Sequence, residues 1–229
     1  MNLRLLQIGD SALPIGGYTH SWGLEAAIDR RIITDAGSLE RWVRGWLRHT
    51  LGPLEGVIVA STCRATAAGD WPAVALANDM LTASIAPPSI RSASREMGDQ
   101  LLGLASTWDW SAARVAAFER AAPPPGDGGP RWNHAVVFGV LGAMAGGSPS
   151  ETLLAYLHHA VLGMIGAGVR AVPVGHTHGQ QILAYLHDEV ERLAATLPGR
   201  ELATAGAGGP FYEVLCDEQT RLYSRLFRS

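Results

Sequence analysis

The stretch from Ser148 to Gln180, SPSETLLAYLHHAVLGMIGAGVRAVPVGHTHGQ, decides the fold class. Ser148 and Glu151 have capping-box spacing with Pro149 at the first helical position, a specific helix start. From there Leu153, Leu154, Leu157, Ala160, Val161, Met164, Ile165, Gly168, Val169 and Val172 keep helical spacing for about six turns. Gly163, Gly166 and Gly168 each cost about 1 kcal/mol relative to Ala in a helix interior. That cost predicts close approach of another backbone, within the chain or across a dimer. Pro173-Val174-Gly175-His176-Thr177-His178-Gly179-Gln180 then reads as a polar hinge. Beyond it Ile182, Leu183, Leu186, Val190, Leu193 and Leu197 form a second stripe, with Asp188, Glu189 and Arg192 outside and Pro198-Gly199 as its stop.

Working outward, the same period recurs. Leu39, Trp42, Val43, Trp46 and Leu47 line one face behind a cap at Ser38, with Arg41, Arg44 and Arg48 toward the other. Gly52-Pro53 is expected to end that helix, and residues 54–67 to begin another. Trp71-Pro72 opens a helix to about Ser84, Pro87-Pro88 breaks it, and residues 89–105 follow with Ile90, Met97, Leu101 and Leu104 as the spine. Helices are also expected over 111–121 and 134–145, the latter containing Gly139 and Gly142. Between them, residues 123–130 (PPPGDGGP) can be neither helix nor central strand and read as a surface loop within one domain. At the N-terminus, Pro14 and Gly16-Gly17 mark a turn between two helices, with Ser21 as N-cap and Glu25 in the first turn. No alternating β-branched strand pattern appears. The prediction is an all-α, single-domain bundle of about eight to ten helices spanning residues 1–229.

Composition narrows the chemistry. All 18 basic residues are arginine, which excludes a Schiff-base lysine and a P-loop lysine. A net charge of −3 argues against nonspecific nucleic-acid binding. Cys63 and Cys216 are far apart and outside any CxxC, as in a reducing compartment. The opening MNLRLLQIGD has no sustained apolar h-region, and residues 160–169, the longest apolar run, reach about half a membrane span. A cytoplasmic protein without membrane attachment is the expectation.

Three groups carry potential chemistry. Asp10, Ser11, His20 and Ser21 are the residue types of a hydrolytic triad, but the strand–turn–helix setting and GxSxG of a nucleophile elbow are missing, and turn and cap roles account for them. His158, His159, His176 and His178 flank the hinge, and imidazole suits nickel or zinc. Yet adjacent His158 and His159 point about 100° apart on a helix, no recognised ligand spacing completes a site, and exposed loop histidines are the simpler reading. The tail interleaves Arg221, Arg225 and Arg228 with Leu222, Tyr223, Leu226 and Phe227, a composition equally suited to a partner hot spot or to packing on its own core.

Taken in order, these segments resemble one family. Residues 10–18 (DSALPIGGY), with Pro14, Gly16, Gly17 and Tyr18, lead into Ser21, Trp22, Gly23, Leu24 and Glu25 and resemble the N-terminal signature of the urease accessory protein UreF family. Arg95-Glu96-Met97-Gly98 followed by Leu101 is similar to its middle motif. Phe138-Gly139 through Arg170, Pro173, Gly175 and Gly179-Gln180 is similar to its central helix and hinge, and residues 223–229 to its C-terminus. The chain departs from the family pattern at His176 and His178, where Gln and Asp are usual, and at Asp217, where His is common.

The resemblance implies a non-enzymatic, all-α, dimerising maturation factor without a cofactor of its own. It would bridge the GTPase UreG and the scaffold UreD (also called UreH) to deliver nickel to the urease apoprotein. By the same resemblance the hinge at Gly175, His176, Thr177, His178, Gly179 and Gln180 would face the GTPase. The tail from about residue 205, chiefly Tyr223, Arg225, Leu226, Phe227 and Arg228, would dock on the scaffold. Whether it modulates GTP hydrolysis stays open, since no arginine is compelled into a finger role. The competing readings are a small hydrolase using Ser21 or Ser11 with His20, and a stand-alone nickel-binding module with His176 and His178 as ligands.

Overall fold

The computed structural model describes residues 2–122 and 131–229, so the proline- and glycine-rich segment 123–130 lies outside the described residues. Every regular element described is helical: α1 (Leu3–Ile8), a 3-10 turn (Gly17–Thr19), α2 (Leu24–Asp29), α3 (Ala36–Trp46), a π-helical segment (Leu47–Gly56), α4 (Val57–Ala68), α5 (Trp71–Ser84), α6 (Pro88–Ala105), α7 (Ala112–Ala121), α8 (His134–Met144), α9 (Pro149–Ala171), α10 (His176–Thr196), 3-10 turns Leu197–Gly199 and Leu202–Thr204, and α11 (Pro210–Gln219). The fold is all-α, as the periodicity predicts, and one continuous apolar core runs through it.

The capping box forms as expected, with the Glu151 backbone N–H donating to the Ser148 hydroxyl and the Ser148 N–H to the Glu151 carboxylate. At α3 the cap is Asp35, and Ser38 is the third helical residue completing the reciprocal pair. Gly52-Pro53 does not end the helix. α3, the π-helical segment and α4 are one continuous rod with Pro53 inside it. A proline ring clashes with the carbonyl four residues back and cannot donate to it. Here that carbonyl, on His49, accepts instead from the Gly208 backbone N–H at 2.7 Å, and the Pro53 carbonyl accepts from Gly206 at 3.1 Å. The strap before α11 thus supplies donors to the carbonyl opposite the proline ring and to the proline's own.

α8 sits at the centre, buried on nearly every side and packed on α4, α6 and α9. Its glycines allow this: a Cβ at Gly139 would stand 2.7 Å from the Val59 carbonyl, and one at Gly142 would stand 2.1 Å from the Thr152 methyl. On α9 the expected backbone approach is not found within the chain: at Gly168 a Cβ would meet the Leu39 side chain at 2.5 Å, and Gly163 and Gly166 have nothing within 4 Å. Ala at either position should therefore stabilise the chain by roughly 0.5–1 kcal/mol, seen as a higher thermal midpoint, because only helix propensity changes. α9 is also long and apolar enough to cross a membrane by composition, and half of its most apolar window is buried in the bundle.

Glu189, expected on the outer face of α10, is buried between Arg48 at 2.7 Å and Arg192 at 2.5 Å. Both arginines keep their heads half in water while bonding it. The paired guanidiniums draw its carboxyl down to about 2. The ion pair ties α10 to the π-helical segment.

Candidate functional site

Four sequence motifs, separated by up to two hundred residues, meet at one place. The N-terminal turn carries it. Gly16 and Gly23 both have positive φ, and Trp22 takes the left-handed region at φ 53°. Only glycine suits position 23, because an added Cβ would also stand 3.0 Å from the Cys216 backbone nitrogen on α11. The resulting turn aims two successive backbone N–H groups, of Ser21 and Trp22, at a backbone oxygen of Ser229, at 2.5 and 3.3 Å. Such successive amides form an anion-accepting concavity.

The tail is thereby stitched to its own N-terminal motif. The Glu25 carboxylate accepts from the Leu226 and Phe227 backbone N–H groups at 2.6 and 3.2 Å. The Arg228 N–H donates to the Thr19 carbonyl at 2.8 Å. Phe227 is buried, and the Arg170 guanidinium lies between rings, 3.5 Å from the Tyr18 centroid and 4.7 Å from that of Phe227. Arg170 also donates to the Tyr18 carbonyl at 2.8 Å. The middle motif closes the side: Glu96 pairs with Arg228 at 3.5 Å, Met97 packs under Gly17, and the Gln100 amide, assigned with its nitrogen facing the turn, donates to the Pro14 and Ile15 carbonyls at 3.1 and 3.2 Å. Tyr223, Arg225 and Leu226 point outward.

The hydrolase grouping is not assembled as a nucleophile–base pair. Ser21 is fully buried, caps no helix, and donates its hydroxyl to Gln219 at 2.9 Å; the cap of α2 is Gly23. His20 Nδ1 pairs with the Ser229 hydroxyl at 2.6 Å. Burial, reinforced by the Arg228 charge and opposed by Glu96, lowers His20 from 6.5 to about 4. The unfolded chain binds the proton more readily, so the stability from neutral His20 is complete above pH 6.5 and is lost as pH falls toward 4. We expect about 3 kcal/mol of acid sensitivity in that window from this group. Thermal midpoints measured across it should fall less in His20→Asn, whose amide keeps the bond to Ser229; an equally steep fall would reject the assignment.

The polar stretch at residues 173–180 is mostly not a hinge. Only residues 172–175 break the helix, and His176 to Gln180 form the first turns of α10. His176, Thr177, His178 and Gln180 are exposed, whereas Gly179 is buried against α9, where a Cβ would meet Val169 at 3.0 Å and Ile165 at 3.3 Å. Being two apart, His176 and His178 do not share a helix face. The other two histidines are packed on α9 rather than displayed in a loop: His159 lies against His134 and bonds the Gly9 carbonyl at 3.2 Å, and His158 lies near His187 with ring centroids 6.2 Å apart. Among the described residues no three His, Cys, Asp or Glu side chains gather as metal ligands.

Sequence reasoning missed Arg170 as the clamp between Tyr18 and Phe227, and missed Gln219 and Ser229 as partners of Ser21 and His20. No local signal marks them, because each partner lies more than fifty residues away along the chain.

Comparison with known proteins bears on the chain as a whole. The UreF family model matches residues 33–187. A protein of Thermosynechococcus vestitus described as urease accessory protein UreF is 33% identical over 233 residues, covering 99% of this chain and 97% of that one. Proteins with the same description from Trichormus variabilis and Dechloromonas aromatica are 30% and 31% identical, each covering 99% of this chain and 95% and 96% of their own length.

Proposed function

The chain belongs to the UreF family of urease accessory proteins, and from that premise we propose that it acts as a non-catalytic adaptor in urease maturation. It bridges the UreG GTPase and the UreD/UreH scaffold so that nickel reaches the urease apoprotein in the cytoplasm. The observation that supports an adaptor most directly is the start of α10. Four exposed polar side chains are held there in fixed helical geometry because Gly179 lets the backbone rest on α9. Such a rigid, solvent-facing rim suits recognition, since little conformational entropy remains to be lost on binding.

The test is co-purification with both partners. A His176→Ala, Gln180→Ala double variant should lose capture of the GTPase by at least tenfold, from about 1.4 kcal/mol of lost contacts, while still binding the scaffold. Unchanged capture of the GTPase would refute the assignment of this face. The adaptor also works as a homodimer in this reading, and sedimentation equilibrium of the full chain checks it: a monomer at micromolar concentration would refute the dimer.

A further inference from the structure

Behind the N-terminal turn lies a cavity of about 410 Å³, bounded by the π-helical segment, α6, α8 and α9. Most of its wall is apolar or aromatic, including Trp22, Trp46, Ile90 and Met97. Pockets of this size and character bind small molecules when a few polar groups converge in them. Here they converge at the inner end, where Glu55, Tyr156, His134 and His159 stand together. The Tyr156 hydroxyl donates to one Glu55 carboxyl oxygen. Glu55 lies deep in the protein yet remains accessible from the cavity, and no arginine pairs with it. Burial pushes its carboxyl up, against the pull of the Tyr156 bond.

Two of the lining residues each bury a polar atom without any hydrogen-bond partner behind the wall: His134 its Nε2 and Thr50 its hydroxyl. Buried polar groups are nearly always paired, so such exceptions need an explanation. His134 is itself more than nine-tenths buried, and burial lowers it to about 3, so its imidazole is neutral. The one cation on the wall, Arg170, is engaged at the mouth by Tyr18 and the Gly166 carbonyl, and Glu213 adds a second carboxylate. What the inner end lacks is positive charge. A metal ion is poorly served, because no three-ligand cluster exists among the described residues. Aromatic faces with a carboxylate are instead the surroundings that hold organic cations.

We propose that this cavity binds a small organic cation, an alkylammonium or alkylguanidinium, whose charged head meets the Glu55 carboxyl beside the rings of Tyr156, His134 and His159 while its aliphatic body fills the apolar part. The π-helical segment has a purpose in this arrangement. Its wider turn brings Thr50, Leu51, Leu54 and Glu55 to the same cavity, and π-helical turns recur at functional sites.

The experiment titrates the full chain with n-butylammonium chloride and with n-butylguanidinium chloride, following tryptophan fluorescence, since Trp22 and Trp46 line the wall. Sodium chloride at matched strength and n-butanol serve as controls. Saturable binding of either cation, weakened at least about tenfold by Glu55→Gln and not reproduced by n-butanol, is the expected result. Glu55→Gln can keep the Tyr156 bond through its amide oxygen. Should it fail to fold, Gly163→Leu tests the same idea with the carboxyl intact, because it puts a side chain into open space at the mouth and should abolish saturation. No saturable response to either cation, equal binding of n-butanol, or affinity untouched by both variants would overturn the proposal.

Discussion

Gly98→Ala should destabilise the protein by about 2–4 kcal/mol, the largest effect expected of a methyl added at any described glycine. On α6 an added Cβ at position 98 would stand 1.8 Å from the Trp132 carbonyl oxygen and 2.9 Å from the Asn133 carbonyl carbon. Backbone can relieve such an overlap only by moving, and residues 131–133 are pinned. The Arg131 and Trp132 N–H groups donate to Asp99 at 3.2 and 3.4 Å, and the Asn133 N–H donates to Asn78 at 3.0 Å. The Asn133 amide donates to Asn78 and Thr82, and the Trp132 ring packs on Phe118 with centroids 5.0 Å apart. Shifting this segment would break several of these contacts at the entrance of α8, the helix at the centre of the core. Helix propensity favours the substitution by only about 1 kcal/mol. At roughly 2–4 °C per kcal/mol for a domain of this size, the thermal midpoint should drop by about 5–15 °C. Gly103→Ala on the same helix is the control, because nothing lies within 4 Å of that position, and it should raise the midpoint. A Gly98→Ala protein that melts with the parent would mean that the Trp132 carbonyl does not sit against α6.

That clash shows where sequence reading stops. Local signals suffice for the helices: the Ser148–Glu151 box, Pro72 and Pro88 near helix starts, and the apolar period of α9 and α10 all appear where they are expected. What cannot be read locally is compensation supplied from far away. Pro53 looks like a helix end because the Gly208 amide that relieves it lies 155 positions downstream. Glu189 looks like a solvated charge because Arg48 is on a different helix. Gly163, Gly166 and Gly168 look alike in sequence, yet Leu39 crowds only the third. The site follows the same rule. Each motif around the N-terminal turn is recognisable alone, but nothing local says that the turn, the middle motif, Arg170 and the tail form one contact. The family resemblance supplies the names of partners; the geometry shows that two of the surfaces it points to are built differently, one a rigid helix start and the other a strap tied to its own chain.

Deleting residues 222–229 should cost about 2–4 kcal/mol of stability and abolish binding to the UreD/UreH scaffold in the proposed role. The stability loss follows from what the tail covers. Burying a phenylalanine is worth about 1.5–3 kcal/mol, and Phe227 is 4% exposed. Deletion also strips the Ser21 and Trp22 amides and the Glu25 carboxylate of their partners, but it leaves them open to water rather than orphaned in the interior, which limits the penalty. The buried apolar cluster ends at Cys216, with only Leu222 of the deleted segment packed against it, so circular dichroism should show the helices intact. Loss of scaffold binding alone would not separate direct contact from collapse of the N-terminal turn, and outward-facing residues make the separation. Tyr223 is fully exposed and Leu226 is 71% exposed, so a Tyr223→Ala, Leu226→Ala protein should melt with the parent and still lose scaffold affinity by at least tenfold, as expected when an exposed aromatic anchor is removed. Phe227→Ala should do the reverse in part, lowering the melting midpoint first and affinity as the strap loosens. If the Tyr223, Leu226 double variant binds the scaffold as tightly as the parent, the tail serves only to hold its own N-terminal turn, and the docking surface has to be sought on the turn itself, at Tyr18 and the residues around it.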